Sequence, residues 1–289
     1  MPDYKDVKRS VLVTDKWLNR KQSEHIKMVE KSLKKLEENI IDTLAKIATN
    51  KTGRIEGLSV NLRQAQKVHS QIERLFAGQF SDDMKAIIKD FDSVQQIIKQ
   101  SFSFVDESAK FTSIDKKLMA TLKDGYYQQY LSLGDTQKNK IVQTIYDQVL
   151  ANGKFSELVA EVSNAVVGRV GVKGTPLQVY AKTYANDFIM NFHNEVQLAK
   201  AETAGLTRFL YVGNIIRDSR QFCMSRAGKS YTKSEINGWT HKWQGKSGPA
   251  LTHRGGYNCR HHWQPIRKEW MEGAKQIDVQ NWFTEQEIA

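Results

Sequence analysis

The chain has 289 residues, of which 40% are hydrophobic and 26% are charged, values typical of a globular protein long enough for two domains. No apolar run reaches the length of about 18 residues expected of a transmembrane helix. The polar start, Met1-Pro2-Asp3-Tyr4, lacks the apolar segment of a secretory signal. Two cysteines are too few for a disulfide framework, so we expect synthesis in a reducing cytoplasm.

The net charge of +11 is concentrated in one region of the chain. Residues 206–268 contain 12 Lys and Arg residues and only two acidic residues, Asp218 and Glu235. A basic surface attracts phosphate backbones, which predicts non-specific contact with double-stranded DNA, although a solvated face or an acidic protein partner would also account for it. The residues predicted to contact DNA or a partner are Arg217, Arg226, Lys229, Lys233, Lys242, Lys246, Arg254, Arg267 and Lys268.

The first half of the chain is predicted to be helical. Residues 1–22 are polar and basic with little periodicity and are expected to form an arm. From His25 onward, apolar residues recur at intervals of three and four, which indicates a helix with a coiled-coil-like seam. Its members are Ile26, Val29, Leu33, Leu36, Ile40 and Ile47. The segment Thr49–Gly57 carries Asn and Gly residues and predicts a turn.

Further helices are predicted over Leu58–Phe76, Met84–Ile98, Ser113–Leu131, Asp135–Asn152 and Phe155–Val167. Gly78 and Ser81 are expected to separate the first two of these, with Ser81 as an N-cap. Met84, Phe91 and Ile98 continue an apolar stripe that a single helix cannot bury alone. We therefore expect a helical hairpin or bundle, with partner helices from other copies as an additional source of contacts.

The segment from Thr175 to Gly205 is predicted to be a long connecting helix, because Pro176 suits its first turn and Gly205 its C-terminal cap. After Gly205 the pattern changes to strands and turns. We therefore predict an α+β protein with a polar arm over 1–22, a helical region over 23–205, a basic motif domain over 206–268 and an acidic amphipathic tail over 269–289. The tail is expected either to dock on a partner or to pack back on the body.

The motif domain contains both cysteines and four of the seven histidines. One motif reads Tyr-Val-Gly at 211–213, Asp-Ser-Arg-Gln-Phe-Cys at 218–223 and Gly-Lys at 228–229. The other reads His-Arg-Gly-Gly-Tyr-Asn-Cys-Arg-His-His-Trp-Gln-Pro at 253–265. This pair of motifs, in this order, resembles the Mu F-like head-morphogenesis, or minor capsid, proteins of tailed phages. The resemblance covers about a quarter of the chain.

Several roles are open for the motif residues. Cys223, His253, Cys259 and His261, or His262 in place of His261, form a set of thiolate and imidazole donors suited to tetrahedral zinc, although their spacing is not that of a zinc knuckle. The alternative is a buried cysteine pair with hydrogen-bonded histidines, and a Cys223–Cys259 disulfide in a mature virion is a third. In the resembled family the closing Cys and His positions recur as a set.

A structural role accounts for more of the motif residues than catalysis does. Asp218 is expected to cap backbone N–H groups, Arg220 to share its face, and Arg260 to offer a bidentate fork to a carboxylate. Together with Cys223, His253, Cys259 and His261, they would staple a turn-rich domain with little ordinary core. No diagnostic catalytic signature or phosphate-binding loop is present, and the sequence assigns no catalytic residue. We therefore predict that the motif segments, 218–223 and 253–262, lie side by side with the cysteines as neighbours.

The resemblance implies a minor capsid protein made in the host cytoplasm and located inside the procapsid. It further implies contact with the portal protein, other head proteins and packaged DNA, with a role in head assembly or DNA delivery, and it leaves the copy number per particle open. No membrane segment and no obligatory cofactor are expected. Two other classes stay open: a nuclease or toxin-like enzyme carried by the particle, and a free non-specific nucleic-acid-binding protein.

Overall fold

The computed structural model describes residues 4–105, 111–168, 176–239, 242–243, 246–247, 249–271 and 276–284. It confirms the predicted α+β class: long helices come first and a small antiparallel sheet follows. The described helices are α1 Tyr4–Leu44, α2 Leu58–Ser103, α3 Ser113–Leu150, α4 Phe155–Val166, α5 Leu177–Thr203, α6 Gln221–Arg226, α7 Lys233–Asn237, α8 Ala250–His253 and α9 Gln280–Thr284. The described strands are β1 Arg208–Val212, β2 Ser230–Thr232, β3 Lys242–Trp243, β4 Lys246–Ser247 and β5 His262–Ile266, and a 3-10 helix covers Lys268–Met271.

Strand β1 is the centre of a three-stranded antiparallel sheet with the order β2-β1-β5. Tyr211 lies opposite Trp263, and Val212 lies opposite His262. The run of apolar and aromatic residues in β1 predicted this strand, and its burial on both faces explains why the run does not alternate with polar residues. A separate two-stranded ladder joins β3 and β4.

The chain divides into two compact units. The sheet unit contains Met1–Ser23, Lys89–Asp124 and Asn186–Ala289, and the helical unit contains Glu24–Ile88 and Gly125–Ala185. The motif residues therefore belong to a unit that also includes parts of α1, α2, α3 and α5. The predicted domain bounds, with the motif domain beginning at residue 206, stay a prediction; α1, α2, α3 and α5 each contribute residues to both units.

The helical unit is built on the predicted seam. Leu33, Ile40 and Met84 are completely buried, whereas Ile26 is only partly buried because His25 and Val29 take the inward positions. The ring of Phe80 stacks 5.6 Å from Phe76. The predicted turn over Thr49–Gly57 is confirmed, and Asn61 holds it by donating to the carbonyl oxygens of Ala48 at 3.0 Å and Glu56 at 2.7 Å.

Two predicted helix breaks are wrong. α2 continues through Gly78 and Ser81, and α3 continues through residues 132–134. A glycine inside a helix costs only about 1 kcal/mol, which burial of the neighbouring apolar residues outweighs. Gly134 also has a packing role, since a Cβ atom there would lie 3.0 Å from the ring of Phe80.

The predicted polar arm is also wrong from residue 4 onward, because these residues form the start of α1. Val7, Val11 and Leu18 are buried on one face of this helix. Their periodicity is hard to see in the sequence because Ser10 and Thr14 are buried on the same face. The Ser10 hydroxyl is paired with that of Ser101 at 2.6 Å, so its burial carries no unpaired polar group.

The described part of the tail packs back on the sheet unit, which was one of the two predicted alternatives. Its apolar residues lie in one cluster with residues from the start of α1, from the sheet and from the connection between α6 and β2. The members of this cluster from the tail are Ile277, Val279, Trp282 and Phe283. The Ile277 N–H donates to the Gly228 carbonyl at 2.7 Å. Gly228 has a φ of 78°, and a Cβ atom there would lie 2.0 Å from the Ile277 carbonyl oxygen, so only glycine suits this position.

Among the described residues, no helix has both the length and the apolar character that crossing a bilayer requires.

Replacement of Leu33 by Ala should lower the free energy of unfolding by about 2–5 kcal/mol, because it removes a fully buried side chain and leaves a cavity. Chemical denaturation followed by circular dichroism measures this change. Lys34→Ala on the exposed face of the same helix is the matched control and should change stability by less than about 0.5 kcal/mol. Equal, small effects of both substitutions would contradict the burial of this seam.

A buried carboxyl group in the helical unit predicts a pH dependence of stability. Burial raises the pKa of Asp83 from 3.8 to about 6, although its carboxylate accepts hydrogen bonds from Ser32 at 2.6 Å and Gln79 at 3.2 Å. The folded protein therefore holds this proton more tightly than the unfolded chain. Its stabilising effect is present below about pH 4 and is lost as pH rises through about 6.

Replacement of Asp83 by Asn should remove this contribution. The difference in unfolding free energy between wild type and variant should change by up to about 3 kcal/mol between pH 4 and 7. Denaturation curves at a series of pH values measure it. Asp42→Asn, at an exposed position, should follow the wild-type profile; a parallel profile for Asp83→Asn would contradict the raised pKa.

Candidate functional site

The structure brings the two predicted motif segments together, as the sequence predicted. The Sγ atoms of Cys223 on α6 and Cys259 lie 3.9 Å apart, and both cysteines are buried and do not form a disulfide. The hydroxyl of Tyr211 on β1 lies 3.4 Å from the first sulfur and 3.5 Å from the second. A second link is the hydrogen bond that Arg220 donates to the carbonyl oxygen of Tyr257 at 2.6 Å. The central strand and both motifs therefore meet at the cysteine pair.

Gly255 makes room for the two sulfur atoms. A Cβ atom at this position would lie 2.5 Å from Cys223 Sγ and 3.1 Å from Cys259 Sγ. Its backbone N–H donates to Cys259 Sγ at 3.3 Å. The first glycine of the Gly-Gly pair is thus required by close approach to the sulfurs.

His261 completes the cluster. Its ligand atom and the two sulfurs all lie within 4.8 Å of one another. The imidazole stacks on the ring of Tyr211, with centroids 5.2 Å apart and planes 8° from parallel. The backbone of Gly213 packs closely against the imidazole, because a Cβ atom at Gly213 would lie 2.8 Å from His261 Cγ. The other predicted donor, His253, is the last residue of α8 and is not in this group.

The two thiols have different acidities. The hydrogen bond shared with Cys223 lowers the pKa of Cys259, and the neighbouring His261 and the charge of Arg254 act in the same direction against burial. The same pairing, together with burial, raises the pKa of Cys223. Burial also raises the pKa of Tyr211, which keeps its hydroxyl protonated beside the sulfurs.

Asp15 on α1 is a member of this neighbourhood that sequence reasoning missed. Burial raises the pKa of Asp15 to about 7, and the charges of His261 and Arg260 and a hydrogen bond from Asn19 oppose that rise. The donor Asn19 Nδ2 lies 2.7 Å from Asp15 Oδ2. The spacing of Val7, Val11 and Leu18 is only a weak signal of this helix, because polar residues share its buried face, and it does not single out Asp15.

Polar side chains of α5 hold the loop that carries Cys259. Asn194 donates to the carbonyl oxygen of Leu251 at 2.7 Å and accepts from the N–H of Trp263 at 3.4 Å. Asp187 accepts from the N–H of Asn258 at 2.8 Å. These contacts satisfy backbone groups on both sides of Cys259, at Leu251 in α8, at Asn258 in the turn and at Trp263 in β5.

Arg254 is part of the same framework and is completely buried. Its guanidinium donates to Asn191 Oδ1 at 2.8 Å and to the carbonyl oxygen of Met190 at 3.4 Å. Its backbone φ is 52°, in the left-handed region. Arg254 therefore cannot contact nucleic acid, and its assignment to the predicted binding surface is wrong.

The other predicted basic residues have varied surroundings. The guanidinium of Arg226 packs against two aromatic rings, 4.0 Å from the centroid of Phe222 and 4.4 Å from that of Trp239. Lys229 donates to the Ser225 carbonyl at 2.8 Å, and Arg267 donates to that of Val105 at 2.8 Å. Three of them are exposed: Arg217, Lys233 and Lys268. Lys233 forms an ion pair with Glu202 at 2.8 Å. The side chains of Lys242 and Lys246 lie outside the described residues.

A small pocket of about 50 Å³ opens at the cysteine pair. Cys223, Cys259 and His261 line it together with Asn214, Ile216, Asp218, Ser219, Arg220, Asn258 and Arg260. Asp218 is exposed in the turn before α6 and stands at the rim of the pocket. The sequence predicted instead that its carboxylate caps backbone N–H groups. Arg260 is also exposed, and the carboxylate on which its charge acts is that of Asp15.

No family model, no curated protein and no solved structure matches this chain. The resemblance to Mu F-like proteins therefore depends on the two motifs alone.

Replacement of Gly255 by Ala should destabilise the protein by about 1–3 kcal/mol, because the added methyl group overlaps the sulfur atoms and overpacks the site. Thermal or urea unfolding measures the loss. Gly238→Ala is the matched control, since a Cβ atom there meets its nearest neighbour at an ordinary 3.5 Å. Equal stability of the two variants would show that the site has room that the structure does not provide.

Proposed function

We propose that this chain is a minor capsid or head-morphogenesis protein of a tailed phage. The observation that carries the proposal is the junction of the two motifs at Tyr211, Cys223 and Cys259. The segments that resemble the Mu F-like family are distant in sequence, yet they form one buried centre with each other. Such a junction is expected if the resemblance reflects a shared structural module.

The pocket beside this centre supports a structural role over an enzymatic one. Its volume of about 50 Å³ is well below the ~300–1,000 Å³ of usual small-molecule sites. The cysteines, Tyr211 and Arg220 are engaged in contacts that join β1, α6 and the 254–261 loop. In this proposal they act as the staple of the module.

The exposed basic residues support contact with packaged DNA. Arg217 and Lys268 have solvent-facing side chains, and Arg260 adds a third exposed cation in the same unit. Contacts of this kind bind phosphate without reading sequence and weaken steeply with salt. The proposal accordingly includes a position inside the head, near the portal vertex, with portal and other head proteins as partners.

The test is a protein inventory of tailed-phage particles purified from cells that produce this chain. We expect the chain to sediment with the particles, in fewer copies than the major capsid protein, and to resist protease until the particles are opened. Particles from cells with the gene deleted are the control and should show defects in assembly or DNA delivery. Absence from purified particles would overturn the proposal, and steeply salt-dependent DNA binding by the free chain would then favour a nucleic-acid-binding protein.

A further inference from the structure

We propose that Cys223, Cys259 and His261 bind a zinc ion whose fourth ligand enters from the adjoining pocket. Two thiolates and an imidazole are the donors that zinc prefers, and all three belong to buried residues of the sheet unit. The inference concerns the chain alone and does not depend on the proposed role in a virion.

The separation of the sulfurs fits a shared metal ion. Zinc–sulfur bonds of about 2.3 Å at tetrahedral angles place two thiolate sulfurs roughly 3.8 Å apart. The Sγ atoms of Cys223 and Cys259 are 3.9 Å apart. A disulfide would require about 2.05 Å, so the two side chains would have to move together by almost half of their separation.

His261 presents a buried ring nitrogen that the protein does not satisfy. Its Nε2 atom has no hydrogen-bond partner among the described residues, although the side chain is only 3% exposed. A buried polar atom without a partner requires an explanation, and a bound ion is one. The stacking on Tyr211 and the close approach of Gly213 fix the ring in this orientation without using that nitrogen.

Outer contacts around the sulfurs are those that support metal-bound thiolates. The Gly255 N–H donates to Cys259 Sγ, and the Tyr211 hydroxyl lies within hydrogen-bonding distance of both sulfurs. Such donors stabilise the negative charge of the ligands and orient them toward the ion. Gly255 also leaves free the space beside the sulfurs that any other residue would fill.

The pocket provides access for the fourth ligand. All three proposed protein ligands line it, and its volume of about 50 Å³ is enough for a water molecule or a small anion. His253, the fourth ligand predicted from the sequence, is not in the cluster. The site is therefore expected to keep an exchangeable position, unlike a closed four-ligand structural site.

The test uses the full-length wild-type chain, purified under reducing conditions and equilibrated with zinc, followed by removal of free metal and elemental analysis. We expect stoichiometric zinc. Cobalt substitution should give the intense visible bands of a four-coordinate ion and the near-ultraviolet bands of cobalt–thiolate bonding. Added azide should shift the visible bands if the fourth position is exchangeable, and an unchanged spectrum would overturn that part of the proposal.

Variants test the ligand assignment. Cys259→Ser and His261→Gln should weaken zinc binding by more than the roughly 10–100-fold that loss of an outer-shell partner costs. The control His253→Gln should bind zinc like the wild type. Circular dichroism identifies any variant that fails to fold, and thiol labelling of the wild type gives an independent measurement, because zinc should protect both cysteines.

The proposal is overturned if the folded, reduced wild-type chain retains no zinc and its thiols react equally with and without the metal. It is also overturned if the wild type holds zinc and His261→Gln holds it equally well. Isolation of a protein with an intact Cys223–Cys259 disulfide that reduction does not convert to a zinc-binding form would contradict it as well.

Discussion

The sheet unit depends on hydrogen bonds between the polar face of α5 and the loop that precedes β5. That loop has few regular backbone partners of its own, so its buried N–H and carbonyl groups need acceptors and donors from elsewhere. Asn194 supplies them to Leu251 and Trp263, and Asp187 supplies one to Asn258. Asn191 accepts instead from the guanidinium of Arg254. Burial of amide and carboxylate side chains on a helix is costly unless they are paired, and here the loop is the partner.

The position of Cys259 follows from these bonds. Because α5 bonds residues on both sides of Cys259, its sulfur lies 3.9 Å from that of Cys223 and 3.5 Å from the Tyr211 hydroxyl. Aromatic packing reinforces the arrangement, with the Trp263 ring 4.5 Å from that of Tyr211. The cysteine pair is thus held by a hydrogen-bonded loop on one side and by the central strand on the other.

Sequence patterns predicted those parts of the fold that repeat locally. The apolar run 208–212 indicated β1, and the three-four spacing around Leu33 indicated a buried helix face. The break at Gly78 was wrong because a local preference of about 1 kcal/mol is small beside the tertiary packing of a long helix. The junction of the cysteines was predictable from composition, since neither short polar segment could fold alone.

Other members of the site were not predictable. Tyr211 lies in an apolar strand run where nothing in the pattern separates a core tyrosine from one that faces two sulfurs. The charge count also overstated the basic surface, because Arg254 and Arg226 are used inside the unit, one by backbone oxygens and one by aromatic rings. Both errors have one cause: a single sequence does not show which distant segment meets a given side chain.

The buried guanidinium of Arg254 has a consequence for behaviour in acid. Burial and the charge of Arg254 lower the pKa of His193 from 6.5 to about 3, so this imidazole is neutral in the folded protein. The unfolded chain takes up that proton below about pH 6.5, whereas the folded chain takes it up only near pH 3. Each pH unit of acidification between these values therefore favours the open chain by about 1.4 kcal/mol at this residue. Acid therefore weakens the sheet unit at this position of α5, whereas Asp15, whose pKa burial raises to about 7, acts in the opposite direction in the same unit.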